Sequence, residues 1–489
     1  MMLTIAKTLT EIIPDWVDSA YADLLVSDLS QDSRQIKPGT LFVARSGLQH
    51  KGVDFVVDAE ACGAVAVLLD STELDACPDV AIPVIAIPNL INNIGLIAAN
   101  FYDHPSRALT VIGITGTNGK TSCAHFIAQA MNTLGIKTAI VGTVGNGFPD
   151  ALQQATHTTP DAIGLQRLFA QLRAEGAGAI VMEVSSHALE QKRVASVEFD
   201  YGVFTNLSRD HLDYHGSMEA YGNAKAKLFR DCALKSAVIN SDDSFGLQLL
   251  SDESIGCNKV SVGRIKGNIC MQAYRLALHG IEAEVKTQKG NFTFCSKVIG
   301  EFNLDNLLLV MAVLSEQGFS NEQIVHGLSK LESVPGRMQA VVAANKPLVI
   351  IDYAHTPDAL EKALQAVRAH TSGTLWCVFG CGGDRDAGKR ELMGQIADQL
   401  ADHLVVTSDN PRTEQPDTII AMIENGIHQH IPNIEVDRAA AIDLAINQAS
   451  PEDVVLIAGK GHEDYQEIGE VRYPFSDLVV TRKVLGVAA

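Results

Sequence analysis

Between Val111 and Thr121 the chain reads Val-Ile-Gly-Ile-Thr-Gly-Thr-Asn-Gly-Lys-Thr. An apolar run enters a glycine-rich turn and leaves it on Gly-Lys-Thr. Such a turn gathers backbone N–H groups and a helix N-terminus around phosphates. Lys120 can then reach the terminal phosphates, and Thr121 can offer its hydroxyl to Mg²⁺. The spacing departs from GxxxxGK[ST], because Ile114 stands in the first glycine's place and Gly113 lies one residue earlier. Met182-Glu-Val-Ser-Ser-His187 places Glu183 at the end of another apolar run, where a carboxylate can ligate a charge-neutralising metal. Alone, that glutamate reads more simply as a solvated strand-end carboxylate. Phe204-Thr-Asn-Leu-Ser-Arg-Asp-His-Leu-Asp-Tyr-His215 crowds Asp210, His211, Asp213 and His215 into one segment. That set suits metal or phosphate chemistry, although some members can equally cap the following helix. Tyr221-Gly-Asn-Ala-Lys-Ala-Lys-Leu-Phe229 reads as an ordinary helix with both lysines in water.

The last third carries four more polar clusters. They are Asp352-Tyr-Ala-His-Thr-Pro357, Gly380-Cys-Gly-Gly-Asp-Arg-Asp386 with Lys389-Arg390, Ser408-Asp-Asn-Pro-Arg-Thr-Glu414, and Ala458-Gly-Lys-Gly-His-Glu463. Glycine, arginine and carboxylates together suit a ligand with both charge signs, such as an amino acid.

The positioning elements are apolar runs separated by amphipathic stretches. Runs at Leu109–Ile114, Ala179–Glu183, Gly202–Asn206 and Ala237–Asn240, then Leu348–Tyr353, Leu375–Phe379, His403–Thr407 and Asp453–Ala458, predict parallel strands buried on both faces. Phe126, Ile127, Ala130, Met131 and Leu134 recur at helical spacing before a stop at Gly135. Thr356 and Pro357 predict the cap and first residue of a helix burying Leu360, Ala363, Leu364 and Val367. Most of these polar clusters lie at strand ends, where open α/β sheets bind ligands. Breaks at Asp103–Ser106 and Pro335–Gly336 divide the chain into three α/β domains. Residues 1–105 form a small mixed domain, 106–337 a central P-loop-like parallel-sheet domain, and 338–489 a Rossmann-like domain.

Composition bounds the reading. The 489 residues, 46% hydrophobic and 20% charged, describe a globular chain too long for one core. A net charge of −20 argues against general nucleic-acid binding. It leaves room for anionic small molecules, because distant surface charge is screened beyond roughly 8 Å. No apolar stretch approaches the roughly 20 residues of a membrane span, and no basic-then-apolar leader opens the chain, so a cytoplasmic protein without membrane insertion is expected. Nine cysteines without a CxxC pair predict reduced, mostly buried thiols.

Taken in order, TGTNGKT, MEVSSHAL, FTNLSRDHLDYHG, GEFNLDN, GRM, DYAHTPDAL, GCGGDRD, DNPRTE and GKGHE run across essentially the whole chain, and the set resembles the Mur ligases. The resemblance implies an ATP- and Mg²⁺-dependent amide ligase of peptidoglycan precursor synthesis. Its nearest branch adds meso-diaminopimelate to UDP-N-acetylmuramoyl-L-alanyl-D-glutamate through an acyl phosphate. It further implies a cytoplasmic monomer whose ATP phosphates lie on Thr115, Gly116, Thr117, Asn118, Gly119, Lys120, Thr121 and Ser122. Asn303, Asn306, Arg337 and Asp352 match further nucleotide contacts. Lys225 matches a carbamylated lysine, an anion made from CO₂ that joins Thr121, Glu183 and His211 as a Mg²⁺ ligand. Lys120, Lys225, Glu183 and His211 would then carry the chemistry. Gln31 and Ser33, with Leu48, Gln49 and His50, match the uridine-nucleotide segments. His157, Thr158, Thr159, Ser185, Gln191 and Arg193 match muramoyl-peptide contacts. Arg390, Asp409, Asn410, Pro411, Arg412, Gly459 and Glu463 match the diaminopimelate site, with Arg412 the expected reader of the distal carboxylate. The rival readings are a lysine-adding sister ligase, a folylpolyglutamate synthase-like ligase and a non-enzymatic ATP-binding regulator.

Overall fold

Strands without polar members need cover on both faces, and the computed structural model supplies it. It describes residues 5–47, 50–155, 157–278, 280–288 and 290–487. The chain resolves into two compact units, Met1–Ala124 with Leu134–Val260, and His125–Thr133 with Ser261–Ala489.

The first unit holds two main sets of parallel strands, beside a short antiparallel pair, Lys7–Thr8 with Leu25–Val26. In the smaller, β1 (Asp28–Ser30), β2 (Thr40–Ala44), β3 (Ala66–Asp70) and β4 (Val84–Ile87) pair in chain order. Helix α1 (Leu90–Phe101) covers it through Leu90, Ile94, Ile97 and Phe101. The second set, part of a longer sheet, is made of β5 (Thr110–Thr115), β6 (Thr138–Val141), β7 (Ala179–Glu183), β8 (Tyr201–Phe204) and β9 (Ser236–Asn240). Its spatial order is β9-β8-β5-β7-β6, all parallel. Helix α2 (Lys120–Thr133) follows β5, α3 (Ala162–Ala174) precedes β7, α4 (Ser186–Glu190) follows it, and α5 (Met218–Arg230) precedes β9. Ala162, Ile163 and Ala170 of α3 lie inside the apolar core of the smaller sheet. Arg167, on the same helix, donates to Asp28 Oδ1, the Leu29 carbonyl and the Tyr102 hydroxyl at 2.6, 2.7 and 2.8 Å. Burying Ile163 contributes about 1.5–3 kcal/mol toward holding α3 against the sheet, and the two alanines and the arginine add to it.

The second unit carries an antiparallel meander, Ile269–Ala277, Gly280–Thr287 and Gly290–Ser296, the apolar helix α6 (Asn303–Glu316), and a further parallel sheet. That sheet orders β10 (Leu348–Asp352), β13 (Val454–Ala458), β11 (Leu375–Phe379) and β12 (His403–Val406), with short flanking strands at both edges. Helices α7 (Pro357–Arg368), α8 (Gly388–Leu400) and α9 (Arg438–Gln448) connect them. Alternation along the strands sends Ile350, Cys377 and Leu456 to one core and Val349, Val378 and Ile457 to the other. Thr356 caps α7 by accepting from the Ala359 N–H, with Pro357 in first position. After β13 come a hairpin, β14 (Tyr465–Ile468) and β15 (Val471–Pro474), and the last helix, α10 (Asp477–Leu485).

Each strand named in the sequence is present within a residue or two of its expected bounds. The nine cysteines are all free thiols, yet only Cys123, Cys270, Cys377 and Cys381 are buried, fewer than expected. Among the described residues no helix is long and apolar enough to cross a membrane.

Candidate active site

In the first unit, β5 is the central strand, and its carboxyl end is flanked by those of β7 and β8. The turn after β5 is shaped by Gly116, whose φ is +147° and whose position leaves no room for a side chain. An added Cβ would lie 1.9 Å from Thr205 Oγ1. The loop after β8 braces the turn from behind. Asn206 accepts from the Thr117 and Asn118 N–H groups through its carbonyl and Oδ1, at 2.8 and 3.0 Å. Thr205 Oγ1 donates to the Asn118 carbonyl at 2.6 Å. The segment beginning Phe204-Thr-Asn thus builds the phosphate turn as well as following it. Lys120, first residue of the 14-residue helix α2, folds back to donate to the Gly116 and Thr117 carbonyls at 2.9 and 2.8 Å. Among the described residues the buried Thr115 hydroxyl has no protein partner. N–H groups, a helix N-terminus and a cation converge here, which is what ATP phosphates require.

Glu183, at the end of β7, is 1% exposed, so the simpler reading of a solvated carboxylate is wrong. Its oxygens accept from Thr121 Oγ1 at 3.0 Å, the Thr143 N–H at 2.8 Å and Thr143 Oγ1 at 3.2 Å. Burial is tolerable because three donors replace water. The Glu183–Thr121 pair presents hard oxygens beside the phosphate turn, a donor set that fits Mg²⁺, which leans on few carboxylates and on substrate phosphates. Among the described residues no three His, Cys, Asp or Glu side chains form a metal cluster.

The muramoyl-peptide candidates gather around the same strand end. Thr159 Oγ1 donates to the Glu183 carbonyl at 2.8 Å and lies 3.4 Å from Ser185 Oγ, while Ser185 caps α4. Arg193 donates to the Thr159 carbonyl at 3.0 Å and twice to Gln191 Oε1, and Thr158 meets Thr143 hydroxyl to hydroxyl at 3.0 Å. His157 is exposed nearby in sequence. Gln31 donates to Asp161 Oδ1 at 3.1 Å, Ser33 opens a short 3₁₀ turn, and exposed His50 lies edge-on to Phe55 at 6.1 Å. Leu48 and Gln49 lie outside the described residues.

Lys225 overturns the expectation of a solvated lysine. It is 1% exposed, donates to the Gly116 carbonyl at 2.7 Å and stands 4.3 Å over the Tyr221 ring. Burial first, and then nearby Lys120, bring its amine down to about 6. The reason is visible in α5, where Tyr221, Ala224, Lys225, Leu228 and Phe229 form one buried stripe, while Lys227 turns away to Glu190 at 2.8 Å. Of the four crowded residues, Asp210, His211 and Asp213 are exposed, and His211 carries the left-handed backbone that starts a short helix without a side-chain cap. His211 faces His187 at 5.0 Å between ring centroids, and His215 meets Ser186 Oγ at 2.9 Å.

In the second unit the strand ends of β10, β13, β11 and β12 are neighbours, and all four polar clusters lie on them. Asp352 accepts from the Met338 and Ala354 N–H groups, and burial raises its carboxyl above the usual range. Arg337 stacks 5.1 Å over Tyr353. Asn303 and Asn306 are buried in α6, joined at 2.7 Å. The loops after β11 and β12 touch backbone to backbone: the Gly383 N–H donates to the Asn410 carbonyl at 2.9 Å, and a Cβ on Gly383 would meet the Pro411 carbonyl at 1.9 Å. Arg390 is buried and bidentate to Glu414 at 2.9 and 2.7 Å. Arg412 donates to Glu467 Oε2 at 3.0 Å and to the Gly383 carbonyl at 2.8 Å. Lys460, fully buried, joins Asn410 Oδ1 at 2.9 Å and Glu463 Oε2 at 3.0 Å. Asp409 is buried beside Gly459, and burial raises its carboxyl despite Arg438 and Lys460 nearby. Arg438 itself forms a wholly buried pair with Asp477 of α10 at 2.7 and 2.8 Å and donates to the Ala458 carbonyl at 3.0 Å. Sequence reasoning missed Lys460, Arg438, Asp477 and Glu467. A lysine inside Gly-Lys-Gly at a strand end was a usable signal for the first, while the others sit in plain helix and hairpin sequence.

Models of the Mur ligase family match in three segments, the catalytic domain over residues 26–102, the middle domain over 114–314 and the glutamate ligase domain over 336–461. A UDP-N-acetylmuramoyl-L-alanyl-D-glutamate--2,6-diaminopimelate ligase of Coxiella burnetii is 46% identical over 487 residues, covering 98% of this chain and 99% of its own. The Pseudomonas aeruginosa protein of the same description is 47% identical over 472 residues, covering 95% and 96%. A solved structure of a ligase so described is 36% identical, with a TM-score of 0.77 over 99% of both chains. With the phosphate turn, the buried glutamate and these full-length likenesses in hand, the chain belongs to the Mur ligase family.

Proposed function

We propose that this chain is the ATP-dependent amide ligase that joins meso-diaminopimelate to the terminal D-glutamate of UDP-N-acetylmuramoyl-L-alanyl-D-glutamate, acting as a cytoplasmic monomer. The observation that carries the reading is the likeness, at 46–47% identity over nearly full length, to ligases of that description. The phosphate turn with Lys120, Thr121 and Glu183 supports it chemically. The glutamate carboxylate of the UDP-substrate attacks the γ-phosphorus of ATP, ADP leaves, and an acyl phosphate remains. The neutral amine of diaminopimelate then attacks the acyl carbon, and phosphate departs as the amide forms. Phosphoryl transfer of this kind depends on positioning and charge neutralisation more than on covalent help from the protein.

The backbone of Gly116–Thr121 and Lys120 hold the phosphates, and Asn303, Asn306, Arg337 and Asp352 are further nucleotide contacts. Thr121 and Glu183, with His211 and a carbamate on Lys225, would hold Mg²⁺, which would supply charge neutralisation. A buried, neutral amine is the form that reacts with CO₂, which supports the carbamate. Gln31, Ser33 and the Leu48–His50 segment serve the uridine nucleotide, and Thr158, Thr159, Ser185, Gln191 and Arg193 serve the muramoyl peptide. Arg412 reads the carboxylate that distinguishes diaminopimelate from lysine, because an Arg fork pairs with a carboxylate in two parallel bonds. The deciding experiment is phosphate release with the UDP-dipeptide substrate, comparing meso-diaminopimelate with L-lysine. Turnover confined to diaminopimelate is expected, falling about 10²-fold or more in Arg412→Ala. Preference for lysine, or ATP binding without amino-acid-dependent turnover, refutes the reading.

A further inference from the structure

The hairpin that follows the Gly-Lys-Gly-His-Glu cluster was outside every sequence-level expectation, and its first strand lies along the Asp-Asn-Pro-Arg loop. Gln466 Nε2 donates to the Asp409 carbonyl at 2.7 Å. The Glu467 N–H donates to Asn410 Oδ1 at 2.9 Å, and its carbonyl accepts from the Arg412 N–H at 3.0 Å. The Arg412 carbonyl accepts in turn from the Gly469 N–H at 2.7 Å, so Arg412 pairs with Ile468 as an isolated parallel bridge. Arg412 adopts a left-handed backbone, φ +49°, a conformation that non-glycine residues hold only when their surroundings impose it. The side chain is fixed as firmly. Glu467 Oε2 accepts from Nε at 3.0 Å and the Gly383 carbonyl from Nη1 at 2.8 Å, while both Arg412 and Glu467 side chains remain 21% exposed.

From this geometry we infer that Glu467 is a specificity-determining positioning residue, which holds Arg412 so that the outer edge of its guanidinium meets a ligand carboxylate. The inference deepens the diaminopimelate reading and rests on it. A guanidinium has five N–H donors. Two are used here, the Nε–H on Glu467 Oε2 and one Nη1–H on the Gly383 carbonyl. Among the described residues no protein acceptor takes the two donors of Nη2, so these, with the second N–H of Nη1, are left for a planar anion. Glu467 does three things at once: its carbonyl fixes the Arg412 backbone, its carboxylate fixes the fork, and its N–H fixes the amide orientation of Asn410. The carboxylate also offsets the arginine's charge, so a ligand carboxylate binds by geometry as much as by attraction. An arginine pre-set in this way loses less side-chain entropy when the ligand arrives than a free one would.

The experiment measures kcat and KM for diaminopimelate, L-lysine and ATP in the full-length wild type, Glu467→Ala and Glu467→Gln, with the melting temperature alongside. Glu467→Ala is expected to raise KM for diaminopimelate about 10- to 100-fold, to leave KM for ATP unchanged, and to lower the diaminopimelate-to-lysine preference by a similar factor. Glu467→Gln keeps an acceptor for Nε and is expected to restore most of the loss. A Glu467→Ala protein with unaltered preference, or one losing ATP, lysine and diaminopimelate kinetics alike with a lowered melting temperature that Gln does not rescue, overturns the inference. Wild-type protein that does not turn over diaminopimelate overturns the functional reading instead, so the two failures are separable.

Discussion

Lys225 and Lys120 donate to the same carbonyl oxygen, that of Gly116, at 2.7 and 2.9 Å. Two ammonium groups so placed repel each other, and Lys225 is the one buried out of water, so its amine is the one that gives up the proton, with a value of about 6. At pH 7 to 8 that amine is mostly neutral and nucleophilic. Intact-mass measurement under CO₂ is expected to show carboxylation at Lys225, and Lys225→Ala to lose about 10²-fold or more in turnover. Full activity of Lys225→Ala in bicarbonate-free buffer would falsify the carbamate.

Glu183 accepts three hydrogen bonds in a dry pocket. Glu183→Gln turns an amide NH₂ toward hydroxyl and N–H donors and removes the charge. Leaving a buried donor unpaired costs about 1–3 kcal/mol, so the melting temperature falls modestly. Turnover is expected to fall about 10²- to 10³-fold, because the carboxylate that would hold the charge-neutralising Mg²⁺ is lost while the fold survives. Phosphate release and a thermal scan on the same preparation separate the two effects.

His125, buried on α2, is held to about 4 by burial, against an ordinary 6.5. The folded state therefore binds fewer protons than the unfolded chain between those values. Its contribution is complete above pH 6.5 and is lost as pH falls toward 4, at up to about 1.4 kcal/mol per pH unit. His125→Asn is expected to be less stable at pH 7.5 but to lose stability less steeply between pH 6.5 and 5. Denaturant midpoints at four pH values check this, and parallel curves for the two proteins contradict it.

Arg438 and Asp477 pair with neither side chain exposed. Removing one partner leaves a buried charge, so Arg438→Met or Asp477→Leu is expected to cost about 3–5 kcal/mol. Arg438→Met combined with Asp477→Leu removes both charges and should recover most of that. A double variant as unstable as the sum of the singles argues against direct coupling.

Much of this was legible in the residues. Parallel strands follow from apolar runs such as Val349–Ile351 and Val454–Ile457, because a strand covered on both faces has no polar alternation to hide it. The phosphate turn was legible because its glycines, lysine and threonine are contiguous. Lys225 was misread from its charge, although its spacing from Tyr221, Ala224, Leu228 and Phe229 marks it as a member of the apolar stripe. Glu183 was left undecided because its three donors come from Thr121 and Thr143, distant in sequence. Glu467 was illegible for the same reason: nothing in Tyr465–Ile468 says that it will lie against Arg412 rather than face water. Contacts between distant loops, not residue types, decide such roles.

Because α3 lends Ala162, Ile163 and Ala170 to the interior of the β1–β4 sheet, residues 1–105 are not an autonomous cassette. Excised, they would show solvent an oily groove where those side chains belong, together with an Asp28 stripped of its arginine. Grafting this segment between relatives requires carrying the matching face of α3 with it, and a fragment made without that helix is expected to come out insoluble.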